Sequence, residues 1–531
     1  MKRYSLIILI LVLAVTFTTA SDQKKSKANK KTENVVEEKS TLDKLRDRAT
    51  QGDAEAMLLL GKAYYAGSDG AKQNFKTAAE WFLNAAEIDT PEAKPYSTEA
   101  KGWLGLLYYN GLGSGDGVEQ DLDRAMKLFL IATRDGLEGM VETFDEMAKE
   151  GDVFACKFMT ECYDKGVGVK RNTDKAAEYQ RLAADAGDED SYFPVGLYLY
   201  NNGKRGEAFK YFEKAALKSD IRASYFYGLM LYDGKDGVRQ DKTKGLEYLQ
   251  MAADQGHVAA TYKLGDIYLN GNSQQDKKKG YQMIKFAAEK GNNNAMWTLA
   301  NCYRLGNGAP QNYALAAQWM ALVASANKAT EYSNLIADLK SKNDPFYSYL
   351  KGLYEYNITG NTKAAMSLFQ AVEKAQIAEG TTMQGVALIK KRDMKKAAKM
   401  LEKASSGSPL ACYYLALLLE NGDGVKQDSK TALNMLTVAA NGGCAAAQCR
   451  LGDKYVKGSG VEIDVDKAAN YYLLAEAQRA LTPESAKQLA TLYEKGIVKL
   501  PESEDLNKHV DKLRRTKENN TLINMLAGTK F

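Results

Sequence analysis

Small and apolar residues recur along the chain from residue 56 onward in one fixed spacing, A-x-x-x-L-G-x-x-Y. The clearest copy runs from Ala260 to Tyr268. On a helix these four positions fall at about 0°, 40°, 140° and 80°, so they share one face. We therefore predict a helix, called helix A, in every copy, with its Ala and Gly allowing a neighbouring helix to approach closely. Related copies begin at Ala56, Ala100, Ala155, Ser191, Ala223, Ala295, Ala411, Ala447 and Ser485.

A second motif, G-[V/A]-x-x-[D/N]-x-x-x-[A/G], follows helix A. We expect its glycine to end helix A with a positive φ, and its Asp or Asn to cap the next helix, called helix B. The last Ala or Gly should then lie on the inner face of helix B. A degenerate copy runs through Asp276 and Gly280. The other copies are Gly70/Asn74/Ala78, Gly117/Asp121/Ala125, Gly168/Asn172/Ala176, Gly237/Asp241/Gly245, Gly308/Asn312/Ala316, Gly424/Asp428/Ala432 and Gly460/Asp464/Ala468.

Helix B carries aromatic and alanine positions, such as Trp81, Phe82 and Ala85. Successive copies start mostly about 32 to 38 residues apart, which is the length of a two-helix unit. One such pair cannot bury its apolar face alone, so the pairs must stack into an array.

The two motifs resemble those of the Sel-one-like repeat family, a relative of the tetratricopeptide repeat with a slightly longer period. The resemblance covers roughly residues 50–330 and 408–500. It implies an all-α fold, a right-handed α-solenoid of about 11–12 antiparallel helix pairs whose concave surface binds protein partners. It also implies a bacterial envelope or secreted setting, in which members of the family occur.

The N-terminus is typical of a secretory signal peptide. Lys2 and Arg3 precede an apolar run from Leu6 to Val15, and small residues stand at Thr18 and Ala20. We expect cleavage after Ala20 and a secreted or periplasmic protein; the alternative is a retained membrane anchor, which would be the only membrane contact. Residues 21–40 are lysine-rich and predict a disordered leader, or else a basic tether to anionic surfaces.

The remaining chain is predicted to divide into residues 41–326, an N-terminal array of repeats, 327–407, divergent helix pairs, 408–500, further repeats, and 501–531, a helical cap. An extra helix is expected at Leu137–Lys149. The divergent segment contains either a hinge near 327–345 or an uninterrupted superhelix. Its predicted helices are 346–356 with 362–375, and 381–391 with 395–404.

Charge and composition narrow the function. The 72 basic and 67 acidic residues nearly balance, which gives no support for a nucleic-acid surface. With only 2 His and no catalytic or phosphate-binding motif, we predict no enzyme activity, cofactor or metal site. The 6 Cys occupy mostly small apolar slots of the repeat, so we expect buried free thiols. If a disulfide forms, Cys444 is its strongest candidate.

Aromatic residues supply the candidate partner-binding surface. They lie two or nine residues after the first residue of helix A, nearly opposite its alanine edge, and so form one stripe. The stripe either packs against the next helix A or forms a partly exposed ladder for a peptide or glycan. Its members are Tyr65, Tyr109, Phe193, Tyr200, Tyr225, Tyr232, Tyr262, Trp297 and Tyr413.

These observations favour a non-catalytic scaffold or adaptor of the envelope or secreted space, binding protein partners whose identity the residues do not indicate. One alternative is an envelope hydrolase acting on a β-lactam or on peptidoglycan. It rests on a cysteine-rich branch of the family, whose cysteine pattern this chain lacks. Another is a glycan-binding scaffold for exopolysaccharide assembly, which requires an exposed stripe.

Overall fold

The computed structural model describes residues 40–112, 117–326, 329–501, 505–517, 520–529 and 531. This part of the chain folds into stacked helix pairs and confirms the predicted all-α repeat architecture. The chain divides into two compact units, residues 1–242 (unit 1) and 243–531 (unit 2). The predicted signal peptide and residues 21–39 of the predicted leader lie outside the described residues.

Unit 1 alternates helices A and B, and each pair packs through its inner faces. The extra helix begins later than predicted, at Met140, because the preceding Gly139 has a left-handed φ of 76°. The helices of unit 1 are α1 (Thr41–Thr50), α2 (Ala54–Ala66), α3 (Phe75–Ala86), α4 (Lys94–Asn110), α5 (Leu122–Arg134), α6 (Met140–Lys149), α7 (Val153–Lys165), α8 (Thr173–Asp185), α9 (Glu189–Asn201), α10 (Arg205–Leu217) and α11 (Ile221–Asp233).

Unit 2 contains the four helices predicted in the divergent segment, each within about three residues of the expected bounds. The sequence did not indicate α17 or the π-helical turn Glu355–Thr359 after α18. Helix α12 (Lys242–Asp254) begins with the last residue of unit 1 and lies otherwise in unit 2. The other helices of unit 2 are α13 (Val258–Leu269), α14 (Gln274–Glu289), α15 (Asn293–Leu305), α16 (Tyr313–Ala326), α17 (Ala329–Ser341), α18 (Pro345–Tyr354), α19 (Thr362–Lys374), α20 (Ala378–Lys390), α21 (Met394–Ala404), α22 (Pro409–Asn421), α23 (Ser429–Asn441), α24 (Ala445–Lys457), α25 (Val465–Ala477), α26 (Pro483–Glu494), α27 (Leu506–Arg514) and α28 (Thr521–Gly528).

The turn from helix A to helix B uses two glycines with different roles. Gly166 ends α7 with φ 70°, and its N–H donates to the carbonyl of Cys162. The prediction that the motif glycine ends helix A is therefore wrong. The motif glycine follows two residues later, where a Cβ on Gly168 would lie 2.6 Å from Thr133 Cγ2 of the preceding pair. At Gly168, Gly308 and Gly424 the absence of a side chain lets consecutive pairs stack closely.

The predicted capping is confirmed in six copies of the second motif. It is wrong in the degenerate copy, where Ser273 caps α14 and accepts the N–H of Asp276, which lies inside the helix. The side chain of Asn172 accepts hydrogen bonds from the N–H groups of Asp174 and Lys175 at 3.1 and 3.0 Å. Its own N–H donates to the carbonyl of Tyr163, which ties helix A to the start of helix B. The same cap is made by Asn74, Asp121, Asn312, Asp428 and Asp464.

A glutamine before the capping residue is a further part of the turn. Gln73 Nε2 donates to the carbonyl of Tyr65 at 2.9 Å, in the last turn of helix A. Gln120, Gln240, Gln311 and Gln427 make the corresponding bond. The sequence contains this regularity, but its function is clear only from the geometry.

Glycines of helix A set the distance between the two helices of a pair. A Cβ on Gly61 would lie 2.5 Å from the ring of Phe82, and one on Gly452 would lie 2.4 Å from the ring of Tyr472. The close approach predicted from the first motif is thus confirmed. It places the aromatic side chains of helix B in the core and leaves the opposite side of helix A to face the next pair.

Candidate functional site

The predicted aromatic stripe of unit 1 packs mainly between successive helices A. The ring of Tyr65 meets that of Trp103 edge-on at 5.1 Å, and Tyr109 meets Phe154 at 4.8 Å. Both tyrosines remain half-buried. The stripe is therefore first a stacking contact, and it retains a partly exposed edge.

Three of the nine predicted residues gather around one ring. Phe193, Tyr200 and Tyr225 all contact Phe226, with ring centroids 6.1, 5.2 and 5.1 Å apart. Phe193 is only 7% exposed and offers little surface to a partner, whereas Tyr200, Tyr225 and the neighbouring Tyr232 are half-buried. The repeat spacing did not single out Phe226, because it lies one residue outside the stripe.

In unit 2 the stripe borders the core without entering it. Tyr262 and Trp297 pack as half-buried side chains on the hydrophobic cluster that includes Leu299. Tyr413 is also half-buried and meets Tyr414 edge-on at 5.3 Å. Eight of the nine predicted residues thus keep some exposed surface.

Charged groups lie beside the stripe. Glu99 pairs with Lys62 of the preceding helix A and accepts a hydrogen bond from Trp103 Nε1 at 3.2 Å. Burial lowers the pKa of Lys62, an effect that Glu99 opposes. Tyr109 donates to Asp152 at 3.3 Å, and burial together with that carboxylate raises the pKa of its hydroxyl. The exposed edge of the stripe therefore combines aromatic surface with fixed polar groups.

A cavity of about 610 Å³ in unit 2 is a second candidate surface. Residues from five helices A border it: α18, α20, α22, and the first residues of α24 and α26. Most of its lining is apolar, including Leu315, Leu353, Met383, Leu410 and Tyr414. Cavities of this size and composition accommodate apolar side chains of a bound molecule.

Residues far apart in sequence meet in the helix stack that borders the cavity. A Cβ on Gly443, after α23, would lie 3.2 Å from Leu315 Cδ1 in α16. A Cβ on Gly291, after α14, would lie 3.5 Å from Arg479 Nη2 after α25. The repeat spacing predicts stacking of neighbouring pairs, but it does not predict these contacts between distant pairs.

A buried carboxyl group lies near this cavity. Glu379 is 1% exposed, and the N–H of Tyr313, the first residue of α16, donates to it. Burial raises the pKa of Glu379 to about 7, although this hydrogen bond lowers it in part. Burial raises the pKa of the nearby Tyr349 hydroxyl, and the carboxylate of Glu379 adds to this effect.

The cysteines are unpaired thiols. Five of the six are buried, and Cys444, the candidate for a disulfide, lines the cavity of unit 2. Burial raises the pKa of Cys444 to about 11, so the thiol is protonated at neutral pH. Such a group contributes to packing and is a poor nucleophile.

Both histidines have structural positions. Nδ1 of His257 accepts the N–H of Ala260 at 3.2 Å, so this side chain caps α13. His509 packs edge-on against Tyr493, with its Nε2 3.2 Å from a carboxylate oxygen of Glu476. Within the described residues, no three His, Cys, Asp or Glu side chains converge as a metal site would require. None of the described helices has the length and apolar character needed to span a membrane.

Comparison with protein families identifies the repeat. A family model described as Sel1 repeat matches ten segments, which together cover more than half of the chain. The matched residues are 54–89, 98–137, 154–188, 190–220, 221–257, 258–292, 293–328, 383–408, 409–444 and 445–478.

Curated relatives match over short regions. A putative sel1-like repeat-containing protein of Acanthamoeba polyphaga mimivirus is 27% identical over 140 residues, 25% of this chain and 25% of that protein. The ERAD-associated E3 ubiquitin-protein ligase component HRD3A of Arabidopsis thaliana is 36% identical over 76 residues, 14% and 11% of the two chains. The chitin synthase regulator SKT5 of Saccharomyces cerevisiae is 26% identical over 142 residues, 24% and 20%. The chain thus spans a quarter or less of each relative.

Two solved structures share the repeat type. The protective antigen c5321 of uropathogenic Escherichia coli, described as displaying an SLR fold, is 23% identical, with 93% of this chain and 98% of that chain covered and a TM-score of 0.30. A Sel1 repeat protein from Oxalobacter formigenes is 23% identical, with 68% and 94% covered and a TM-score of 0.28.

Proposed function

Because the chain belongs to the Sel1 repeat family, we propose that it is a non-catalytic adaptor that binds protein partners on the inner surfaces of its stacked helix pairs. The observation that carries this proposal is the cavity of unit 2, bordered by five successive helices A and lined mostly by apolar side chains. Half-buried Tyr and Trp side chains add anchors of the type that dominates protein interfaces.

The names of two relatives agree with this role by analogy. One is named as a component of a ubiquitin-protein ligase and another as a regulator of chitin synthase. The present chain would likewise hold partners in place.

Site-specific photo-crosslinking in the producing cells tests the proposal. A photoreactive phenylalanine analogue at Tyr262 or Trp297 should form adducts with specific proteins, because these side chains keep an exposed edge on helix A. The matched control is Phe286, which is 42% exposed on helix B. Trp297→Ala should then weaken binding of the purified partner at least about tenfold, the effect expected of an interface anchor, while Phe286→Ala leaves it unchanged.

Adducts of equal yield from all three positions, or none from Tyr262 and Trp297 under conditions that label other proteins, would count against partner binding at these surfaces. Adducts with polysaccharide instead of protein would reassign the stripe to glycan binding.

We further propose that the protein acts in the bacterial envelope or secreted space after export. Lys2, Arg3 and the apolar run Leu6–Val15 support this, since they have the order of a signal peptide. Mass spectrometry of the protein isolated from the producing cells should give Ser21 as the first residue. Recovery of a chain that retains residues 2–20 would contradict the cleavage.

A further inference from the structure

The end of the chain packs against helices much earlier in the sequence. Helix α28 contacts α16 and α18. Leu526 is fully buried in the largest hydrophobic cluster of unit 2, and Leu522 and Met525 pack against the same cluster. These three residues have the i, i+3, i+4 spacing of one apolar helix face. The segment is therefore seated as an amphipathic helix in a groove made by the repeats.

Residues that follow α28 also contact the repeats. The ring of Phe531 lies 5.2 Å from that of Tyr354 and 5.9 Å from that of Tyr347. The hydroxyls of Thr529 and Tyr332, which are 197 positions apart, lie within 3.2 Å. The groove thus contacts the apolar face of α28, and the rings of Tyr354 and Tyr347 beside it contact the ring of Phe531.

The same segment borders the cavity of unit 2. Asn520 to Ile523 form part of its lining, together with Met383 and Tyr414. About 610 Å³ remains open beside them. The segment thus covers the apolar inner surface only in part, and a longer or bulkier helix could bury more of it.

The C-terminal segment is held on the repeats with only marginal stability. Helix α28 has 8 residues, whereas an isolated helix needs about 12–15 to be even marginally stable in water. Its order depends on the few side chains that it packs against the repeats. A short helix held only by such packing opens at a low free-energy cost, so a competing helix need displace only a weakly held occupant.

We propose that this inner groove of unit 2 is a binding site for an amphipathic helix of a protein partner, and that residues 520–529 together with Phe531 occupy it in cis until such a helix displaces them. The partner helix would present apolar residues at i, i+3 and i+4 with an aromatic side chain beyond its C-terminal end. This inference rests on the proposed adaptor function and adds to it the kind of partner and a mechanism of self-occlusion.

A labelled peptide with the sequence of residues 520–531 tests the inference on the full chain. In the wild type the tethered segment competes at an effective concentration in the millimolar range, so the peptide should bind weakly. In a Leu522→Asp/Leu526→Asp variant the chain's own helix should leave the groove, because two carboxylates would otherwise be buried among apolar side chains. We expect the peptide to bind this variant at least about tenfold more tightly.

The control is Asn524→Asp, which adds one carboxylate on the exposed face of α28 instead of two on its buried face, and it should behave as the wild type. Equal peptide affinity for all three proteins, or no binding to a double variant that keeps its helical circular dichroism, overturns the inference.

If the double variant does not fold, hydrogen exchange of the wild type tests whether the C-terminal segment can leave the groove. The amides of residues 522–526 should exchange at least about tenfold faster than those of α16, and equal protection contradicts a releasable segment. Crosslinks from Trp297 test the adaptor function separately, so the two proposals can fail independently.

Discussion

Alanine in place of Gly280 is expected to destabilise unit 2 by about 1–3 kcal/mol, the range for overpacking a close-packed interface. A Cβ at this position would lie 2.6 Å from the backbone N of Leu269 and 2.7 Å from the carbonyl oxygen of Gly265. Both are backbone atoms, so only a shift of α14 away from α13 can relieve the contact. Intrinsic helix propensity alone would give the opposite sign, since alanine is favoured over glycine by about 1 kcal/mol.

Chemical denaturation together with hydrogen exchange of α13 and α14 measures this effect. Gly265→Ala is a graded comparison, because its Cβ would meet the flexible end of Ile284 at 3.0 Å and should cost less. Gln282→Ala, on the exposed face of the same helix, should change the free energy of unfolding by no more than about 0.5 kcal/mol. A stabilised Gly280→Ala protein would contradict the close packing of this pair.

Gly280 also illustrates how far the sequence predicts the fold. The position was expected on the inner face of helix B from its spacing of four residues after Asp276, in a copy of the motif that lacks its first glycine. Its role is confirmed because helix periodicity fixes which face a residue occupies. The cap expected at Asp276 in the same copy is wrong, since Ser273 caps the helix three residues earlier.

The features that the sequence did not indicate depend on contacts between distant residues. Neither the approach of Gly443 to Leu315 nor the packing of Leu526 follows from a local spacing, since each joins segments more than a hundred residues apart. The second role of glycine in the turn is similar. Gly168 is small because Thr133 of another pair lies against it, and a motif within one repeat contains no information on that neighbour.

The candidate site shows the same division. Helical angles placed the aromatic residues on one face, and eight of the nine keep an exposed edge. Burial of Phe193 could not be predicted in this way, because Phe212 and Phe226 come from two other helices. Partner surfaces of repeat arrays are made by several repeats together, so single-repeat patterns identify candidate residues but not the shape of the groove.

The second large expected effect is a loss of stability as pH rises, caused by Glu379. The pKa of this buried carboxyl is raised to about 7 in the folded chain, against 4.5 in its ordinary state. Below about pH 4.5 both states are protonated and the shift has no effect. Between about pH 4.5 and 7 the unfolded chain releases the proton while the folded chain keeps it, so the free energy of unfolding falls as pH rises. The full loss, up to about 3 kcal/mol, is reached above pH 7.

Glu379→Gln should remove this part of the pH dependence. The amide oxygen can still accept the N–H of Tyr313, but the side chain no longer ionises. Denaturation at pH 5, 6, 7 and 8 should show the wild type losing more stability than the variant as pH rises.

Glu373→Gln is the matched control, because the ion pair with Lys403 holds the pKa of Glu373 below its usual range and its contribution is constant above pH 5. Identical pH profiles for the wild type and Glu379→Gln would mean that this carboxyl is not buried in the way described. A smaller pH dependence in the variant would show that protonation of Glu379, near the start of α20 and bonded to the first residue of α16, adjusts the stability of the fold around the cavity.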